Sequence, residues 1–125
     1  MSKRILIVED QEDLRAILRD LLASTGFDVV EATDGGDGVA KAKSFQPDLV
    51  LMDIQLPVLD GYEAIRQIKA DASISKTPVI AVSSFAMKGD EEKARDAGCD
   101  AYVTKPYSPM KLLALARTFL DKPRT

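Results

Sequence analysis

Two hydrophobic periods alternate five times along this chain, and that alternation restricts the fold more than any other feature of it. Residues 4–8, Arg4-Ile5-Leu6-Ile7-Val8, form a nearly continuous aliphatic run, the pattern of a strand buried on both faces. Leu14, Ile17, Leu18, Leu21 and Leu22 follow at helical spacing and so share one helix face. Gly26 stands where that helix should stop. Residues 27–32 read as a second strand, and residues 35–45 as a short helix carrying Val39, Ala40 and Ala42. Asp48-Leu49-Val50-Leu51-Met52-Asp53 opens the third unit, which passes a Pro57/Gly61 loop into a helix with Ile65 and Ile68 on one face. Residues 78–82 read as the fourth strand, 87–97 as a helix ended by Gly98, and 100–104 as the fifth strand. Ser108 as N-cap and Pro109 in the first turn start a last helix carrying Leu112, Leu113, Leu115, Ala116, Phe119 and Leu120. Buried strands alternating with helices predict an α/β fold with a parallel sheet covered by helices on both faces.

A length of 125 residues suits one domain with one sheet-centred core, and the sequence predicts a single domain over residues 1–125 with no output domain. With 46% apolar and 30% charged residues, the balance is that of a soluble globular protein. The apolar runs fall well short of the roughly 18 residues that a membrane span needs. The first residues carry no signal-type cleavage site, and Cys99, the single cysteine, has no partner for an internal disulfide. A cytoplasmic address is therefore the simplest reading. The net charge of −3 comes from interspersed signs, without the basic stripe of a nucleic-acid surface. There is no histidine, which excludes Ser-His-Asp and Cys-His catalysis and removes the commonest zinc ligand. Any phosphohistidine chemistry must then use a histidine on another molecule.

In an open parallel sheet, ligands bind beyond the carboxyl ends of the strands. Glu9 and Asp10 follow the first strand, Asp53 ends the third, Ser83 and Ser84 follow the fourth, and Thr104-Lys105-Pro106 closes the fifth. Three carboxylates, a hydroxyl and an ammonium group should therefore converge. Two carboxylates about 4 Å apart repel by about 4 kcal/mol at an effective dielectric near 20. A cation removes that penalty, and oxygen ligands without His or Cys favour Mg²⁺. A carboxylate so placed can act as a nucleophile toward phosphorus, with the lysine offsetting charge on the transferring oxygens. Taken singly, these residues have plainer readings: Asp10 as a helix cap, Ser83 as a loop hydroxyl, Lys105 as a surface charge, Cys99 as packing. Asp60 reads as a cap, and Glu12, Asp13 and Glu91 as helix-start charges.

The chain resembles the CheY-like receiver domains of bacterial two-component response regulators over essentially its whole length. The resemblance rests on Ile7-Val8-Glu9-Asp10, on Leu51-Met52-Asp53-Ile54-Gln55-Leu56-Pro57-Val58-Leu59-Asp60-Gly61, on Pro78-Val79-Ile80-Ala81-Val82-Ser83-Ser84 and on Tyr102-Val103-Thr104-Lys105-Pro106. The stretch Phe85-Ala86-Met87-Lys88-Gly89-Asp90-Glu91-Glu92 is similar to that of DivK-type regulators. The resemblance implies a doubly wound, flavodoxin-like sheet of order 2-1-3-4-5 with five helices. It implies that Asp53 is phosphorylated, that Asp10 and Asp53 bind Mg²⁺ directly, and that Glu9 acts through water and Gln55 through its backbone carbonyl. Ser83 is then the switch hydroxyl, Lys105 the phosphoryl-pairing cation, and Tyr102 the aromatic whose rotamer follows Ser83. Lys105–Pro106 is expected to be a cis peptide that aims Lys105 inward.

Gln55 and Phe85 occupy positions where the family tunes phosphoryl lifetime. Phe85 is expected to shield the phosphoryl group from water, so Phe85→Ala should shorten the lifetime of the phosphorylated protein. The implied partners are a sensor histidine kinase or histidine phosphotransfer protein and a downstream protein target. The signalling face comprises residues 87–97, the fifth strand and residues 108–120, in a monomer or a weak phosphorylation-dependent dimer. The expected chemistry is limited to the chain's own phosphorylation and dephosphorylation. A hydrolase using an aspartyl-phosphate intermediate would want a second acid two places after the nucleophile, where Gln55 stands. A flavodoxin-like nucleotide binder would want a phosphate-cradling loop after the first strand, where Glu9-Asp10-Gln11-Glu12-Asp13 stands.

Overall fold

A computed structural model describes residues 3–84 and 89–121. The elements run β1 (Arg4–Val8), α1 (Glu12–Ser24), β2 (Asp28–Ala32), α2 (Gly35–Phe45), β3 (Leu49–Asp53), α3 (Gly61–Ala70), β4 (Val79–Ser83), α4 (Asp90–Ala97), β5 (Ala101–Thr104) and α5 (Pro109–Leu120). All strand pairs are parallel and the sheet order is β2-β1-β3-β4-β5. The fold expected from the alternating pattern is thus present, with five helices. Residue 87, the expected start of the fourth helix, lies outside the described residues, as does Phe85.

The two-residue period of the strands divides the core into two layers. Leu6, Val8, Val50, Met52 and Ala81 pack with α2, α3 and α4 through Val39, Ala42, Ile65, Ile68 and Ala94. Ile5, Ile7, Leu49, Leu51, Ile80 and Val82 pack on the opposite face with α1 and α5 through Leu18, Leu22, Leu112, Leu113 and Ala116. β1, β3 and β4 are apolar over residues 5–8, 49–52 and 79–82 because both of their faces are covered there, whereas the edge strands β2 and β5 are only partly buried.

Two helix faces differ from the sequence reading. Ile17 is 52% exposed, because Leu18 and Leu22 define the buried stripe and the preceding position turns away from it. In α2, Ala40 is exposed and Gly38 takes the inward place, where a Cβ would stand 2.9 Å from a Val8 methyl. Asp10 does not cap α1; the N-cap is Gln11, with no side-chain cap bond. The Asp60 carboxylate does cap α3, accepting from Glu63 N at 3.0 Å. Ser108 caps α5, accepting from Lys111 N, with Pro109 in the first turn. Gly98 ends α4 at φ 117°, a left-handed conformation that an L side chain would resist.

The strand order reverses between β1, which continues to β2, and β3, which lies on its other side. The crevice beyond the carboxyl ends of these two strands is the ligand position of such sheets. Val8 and Asp53 stand at those ends.

Candidate functional site

Glu9 leaves β1 with its backbone N–H bonded to Ala32 O at 3.0 Å, which holds the residue in line with the sheet. Its carboxylate is buried, and Oε2 accepts from Gln11 N at 3.0 Å. Arg15 donates to the Glu9 carbonyl at 3.0 Å and to Glu31 at 3.1 Å, which fixes the turn from β1 into α1. Asp53 ends β3 and is 2% exposed. Asp10 is exposed beside them. Carboxylate oxygens of Glu9, Asp10 and Asp53 lie within 4.8 Å of one another.

Lys105 reaches the same point from the end of β5, across a cis Lys105–Pro106 peptide. Its Nζ is 2.9 Å from Glu9 Oε1 and 3.2 Å from Asp53 Oδ2, and it donates to Gln11 Oε1 at 3.4 Å. Burial alone would lower the Lys105 pKa, but the Glu9 and Asp53 contacts outweigh it and hold the ammonium above its ordinary value. Burial is also the main cause that raises the Glu9 pKa. The bonds from Gln11 and Lys105 oppose it, while the neighbouring Asp53 adds to it. One ammonium thus serves two buried carboxylates, leaving an excess of negative charge.

Ser83, fully buried at the end of β4, is linked to β3 by the side chain of Gln55. Gln55 Nε2 donates to Ser83 Oγ at 3.1 Å, and Gln55 Oε1 accepts from Ser84 N at 2.7 Å. Gln55 N in turn donates to Asp53 Oδ1 at 3.1 Å. Tyr102, on β5, is half-buried against the core layer of α2, α3 and α4. The structure therefore brings together Glu9, Asp10, Asp53, Gln55, Ser83 and Lys105, and places Tyr102 on the strand next to Ser83. Phe85 lies outside the described residues. The donor set is entirely oxygen, with net negative charge at close range, and fits a hard divalent cation that keeps part of its water.

A family profile for the response regulator receiver domain matches residues 5–117. The chain belongs to this receiver family. It is 41% identical to the polar-differentiation response regulator DivK of Brucella ovis over 120 residues, covering 96% of this chain and 98% of the relative. The DivK of Brucella anthropi gives the same identity and coverage. Among solved structures, the receiver domain of a Pseudomonas aeruginosa sensor histidine kinase, with a magnesium ion coordinated in its active-site cleft, is 34% identical with a TM-score of 0.89. It covers 98% of this chain and 100% of that one. A CheY-like receiver domain from Methanospirillum hungatei is 31% identical with a TM-score of 0.90, over 97% of this chain and 95% of that one. As a response regulator receiver, the protein acts in two-component signal transduction, a family in which phosphoryl acceptance is general. Among the described residues no helix is long and apolar enough to cross a membrane.

Two participants in this receiver site, Gln11 and Gly61, escaped the sequence reading, and the part played by the Gln55 side chain was not foreseen. Gln11 touches both Glu9 and Lys105, and its place directly after Glu9-Asp10 was the available signal. Gln55 was expected to matter through its carbonyl and its effect on phosphoryl lifetime, whereas its side chain also ties β3 to β4. Gly61 lies against the acceptor strand: a Cβ there would run into the Asp53 carbonyl oxygen and stand 2.5 Å from Ile54 Cα.

Proposed function

We propose that Asp53 accepts a phosphoryl group from a phosphohistidine on a sensor kinase or histidine phosphotransfer protein, and that the α4–β5–α5 face then signals to a downstream protein. The observation that carries this reading is the buried Asp53 carboxylate at the switch point of the sheet, 3.2 Å from Lys105 Nζ and beside Glu9 and Asp10. One Asp53 oxygen forms a bond to phosphorus as the donor's phosphorus–nitrogen bond breaks. The electron pair leaves with the imidazole, which takes a proton from water. Asp10 and Asp53 would hold Mg²⁺ directly, with Glu9 through water and Gln55 through its main-chain carbonyl; the ion supplies positive charge for the phosphoryl oxygens.

Lys105 offers the same oxygens an ammonium already positioned beside Asp53, so little reorganisation is needed as charge accumulates. Phosphorylation adds roughly −1.5 to −2 charge units and three acceptor oxygens. Ser83 donates to one of them, leaving its bond from Gln55, and Tyr102 moves toward the space it vacates. That biases a pre-existing equilibrium of the β4–β5 side rather than building a new fold. Gln55 carries an amide that cannot exchange a proton in acid–base catalysis, which favours a switch over a turnover hydrolase.

The donor half of the reading is tested with a purified histidine phosphotransfer protein carrying labelled phosphate. Label is expected to move to this chain and to be released by hydroxylamine, as an acyl phosphate is. Label that stays on the donor, or survives hydroxylamine on the acceptor, would contradict it. The side chain of Gln55 bridges Ser83 and the Ser84 N–H, two residues on from Asp53. Gln55→Ala should shorten the half-life of the phosphorylated protein while changing resting stability by no more than about 1 kcal/mol. An unchanged half-life would remove Gln55 from the control of phosphoryl lifetime.

A further inference from the structure

Tyr107 follows the Lys105–Pro106 bond, and its ring packs against the core layer of α1 and α5. It also lines a groove of about 470 Å³ with Gln11, Leu14, Ser84, Lys105 and Pro106. Among the described residues, the Tyr107 hydroxyl is the one buried side-chain polar atom with no hydrogen-bond partner. Such groups are uncommon, because a buried hydroxyl has given up water without replacement. Burial raises its pKa, and the charges of Glu9 and then Asp53 raise it further. Two of its neighbours in the groove, Gln11 and Lys105, are the residues that hold the Glu9 carboxylate, which brings Tyr107 to the edge of that cluster as a protonated donor.

Glu9 has a complementary need. In the resting protein its Oε1 depends on Lys105 Nζ at 2.9 Å, while Oε2 is held by Gln11 N. Lys105 has three ammonium protons and already three oxygen neighbours, on Glu9, Asp53 and Gln11. A phosphoryl group on Asp53 brings further acceptors and draws the ammonium away from one of them. Glu9 is 3% exposed, so losing that contact leaves a buried carboxylate with one protein donor, Gln11 N, beside any water held by the metal.

We propose that Tyr107 is a positioning residue: when Lys105 turns to the phosphoryl group on Asp53, the Tyr107 hydroxyl donates to Glu9 and keeps that carboxylate in place. This rests on the phosphoryl-acceptor reading of Asp53. A single donor waits without a partner in the resting state and gains one in the phosphorylated state. Removing the hydroxyl should therefore weaken only the second state.

The test compares wild type, Tyr107→Phe and Tyr62→Phe, with beryllofluoride and Mg²⁺ as a stable mimic of the phosphorylated site. The chain has no tryptophan and three tyrosines, so its near-ultraviolet spectrum is governed by tyrosine. Beryllofluoride is expected to shift the tyrosine absorption of the wild type to the red, as a phenol donating to a carboxylate does. Tyr107→Phe should lose that shift and Tyr62→Phe should keep it. Tyr107→Phe should bind the mimic about tenfold more weakly, and its resting form should resist urea at least as well as the wild type. Equal affinity and an unchanged spectral shift in Tyr107→Phe would overturn the proposal. So would a loss of resting stability, which would mean that the hydroxyl already has a partner. If the wild type fails to bind the mimic, the phosphoryl-acceptor reading fails as well; if it binds and Tyr107→Phe matches it, only the role of Tyr107 fails.

Discussion

Lys105→Met should slow phosphoryl transfer onto Asp53 by about a hundredfold and destabilise the metal-free protein by about 3 kcal/mol. Both effects have one origin. The Lys105 side chain is 12% exposed, and its partners Glu9 and Asp53 are 4% and 2% exposed, so bulk water does little to replace the lost cation. Methionine keeps much of the length and apolar volume of the stem, which limits the packing loss. The two carboxylates then repel at short range, and nothing is preset to meet the charge on the phosphoryl oxygens. Mg²⁺ should recover much of the stability by neutralising the cluster, so its addition should raise the melting temperature of the variant more than that of the wild type. The transfer rate should not recover, because the ammonium would still be missing. Urea unfolding with and without Mg²⁺, together with phosphorylation rates, separates these effects. Equal Mg²⁺ stabilisation of both proteins would mean that Lys105 does not offset the repulsion of the cluster.

Gly61→Ala should destabilise the fold by about 3 kcal/mol and also reduce phosphoryl uptake. Gly61 starts α3 against the end of β3, with its N–H bonded to Ile54 O at 3.0 Å. The added methyl would meet the Asp53 carbonyl, the Ile54 Cα at 2.5 Å and the Asp53 carbonyl carbon at 3.1 Å. Every one of those atoms is main chain, so no side-chain rotamer can relieve the clash. The helix must move away or Asp53 must shift, and either disturbs the acceptor. Gly36→Ala is the control. Its nearest atoms are Asp34 Oδ1 at 3.4 Å and a Val58 methyl at 3.9 Å, and stability there should change little. Equal urea midpoints for Gly61→Ala and the wild type would refute the steric reading.

The parts of this protein that could be read from its sequence depend on local periods. Ile5 to Val8 and Leu49 to Met52 are apolar at successive positions, the pattern of a strand covered on both faces. The convergence of Glu9, Asp10, Asp53, Ser83 and Lys105 followed from placing each at a strand end, because a parallel sheet collects those ends along one edge. Ser108-Pro109 marked the start of α5 because capping chemistry is local. Other features depend on distances between elements that no local pattern encodes. The Gln55 side chain reaches Ser83 and Ser84 only because β3 and β4 pair in the register Asp53↔Val82. The tight fit of Gly61 requires α3 to return onto the end of β3. Whether the Tyr107 hydroxyl finds a partner depends on every atom around it, and sequence spacing carries no trace of that.

The most direct measurement of the central claim is intact mass after incubation with acetyl phosphate and Mg²⁺, for the wild type and for Asp53→Asn. The substitution keeps the shape of the side chain and removes the nucleophilic charge. The wild type should gain one phosphoryl group and Asp53→Asn none. An unmodified wild type, or an equal adduct on Asp53→Asn, would contradict the assignment of Asp53 as the phosphoryl acceptor.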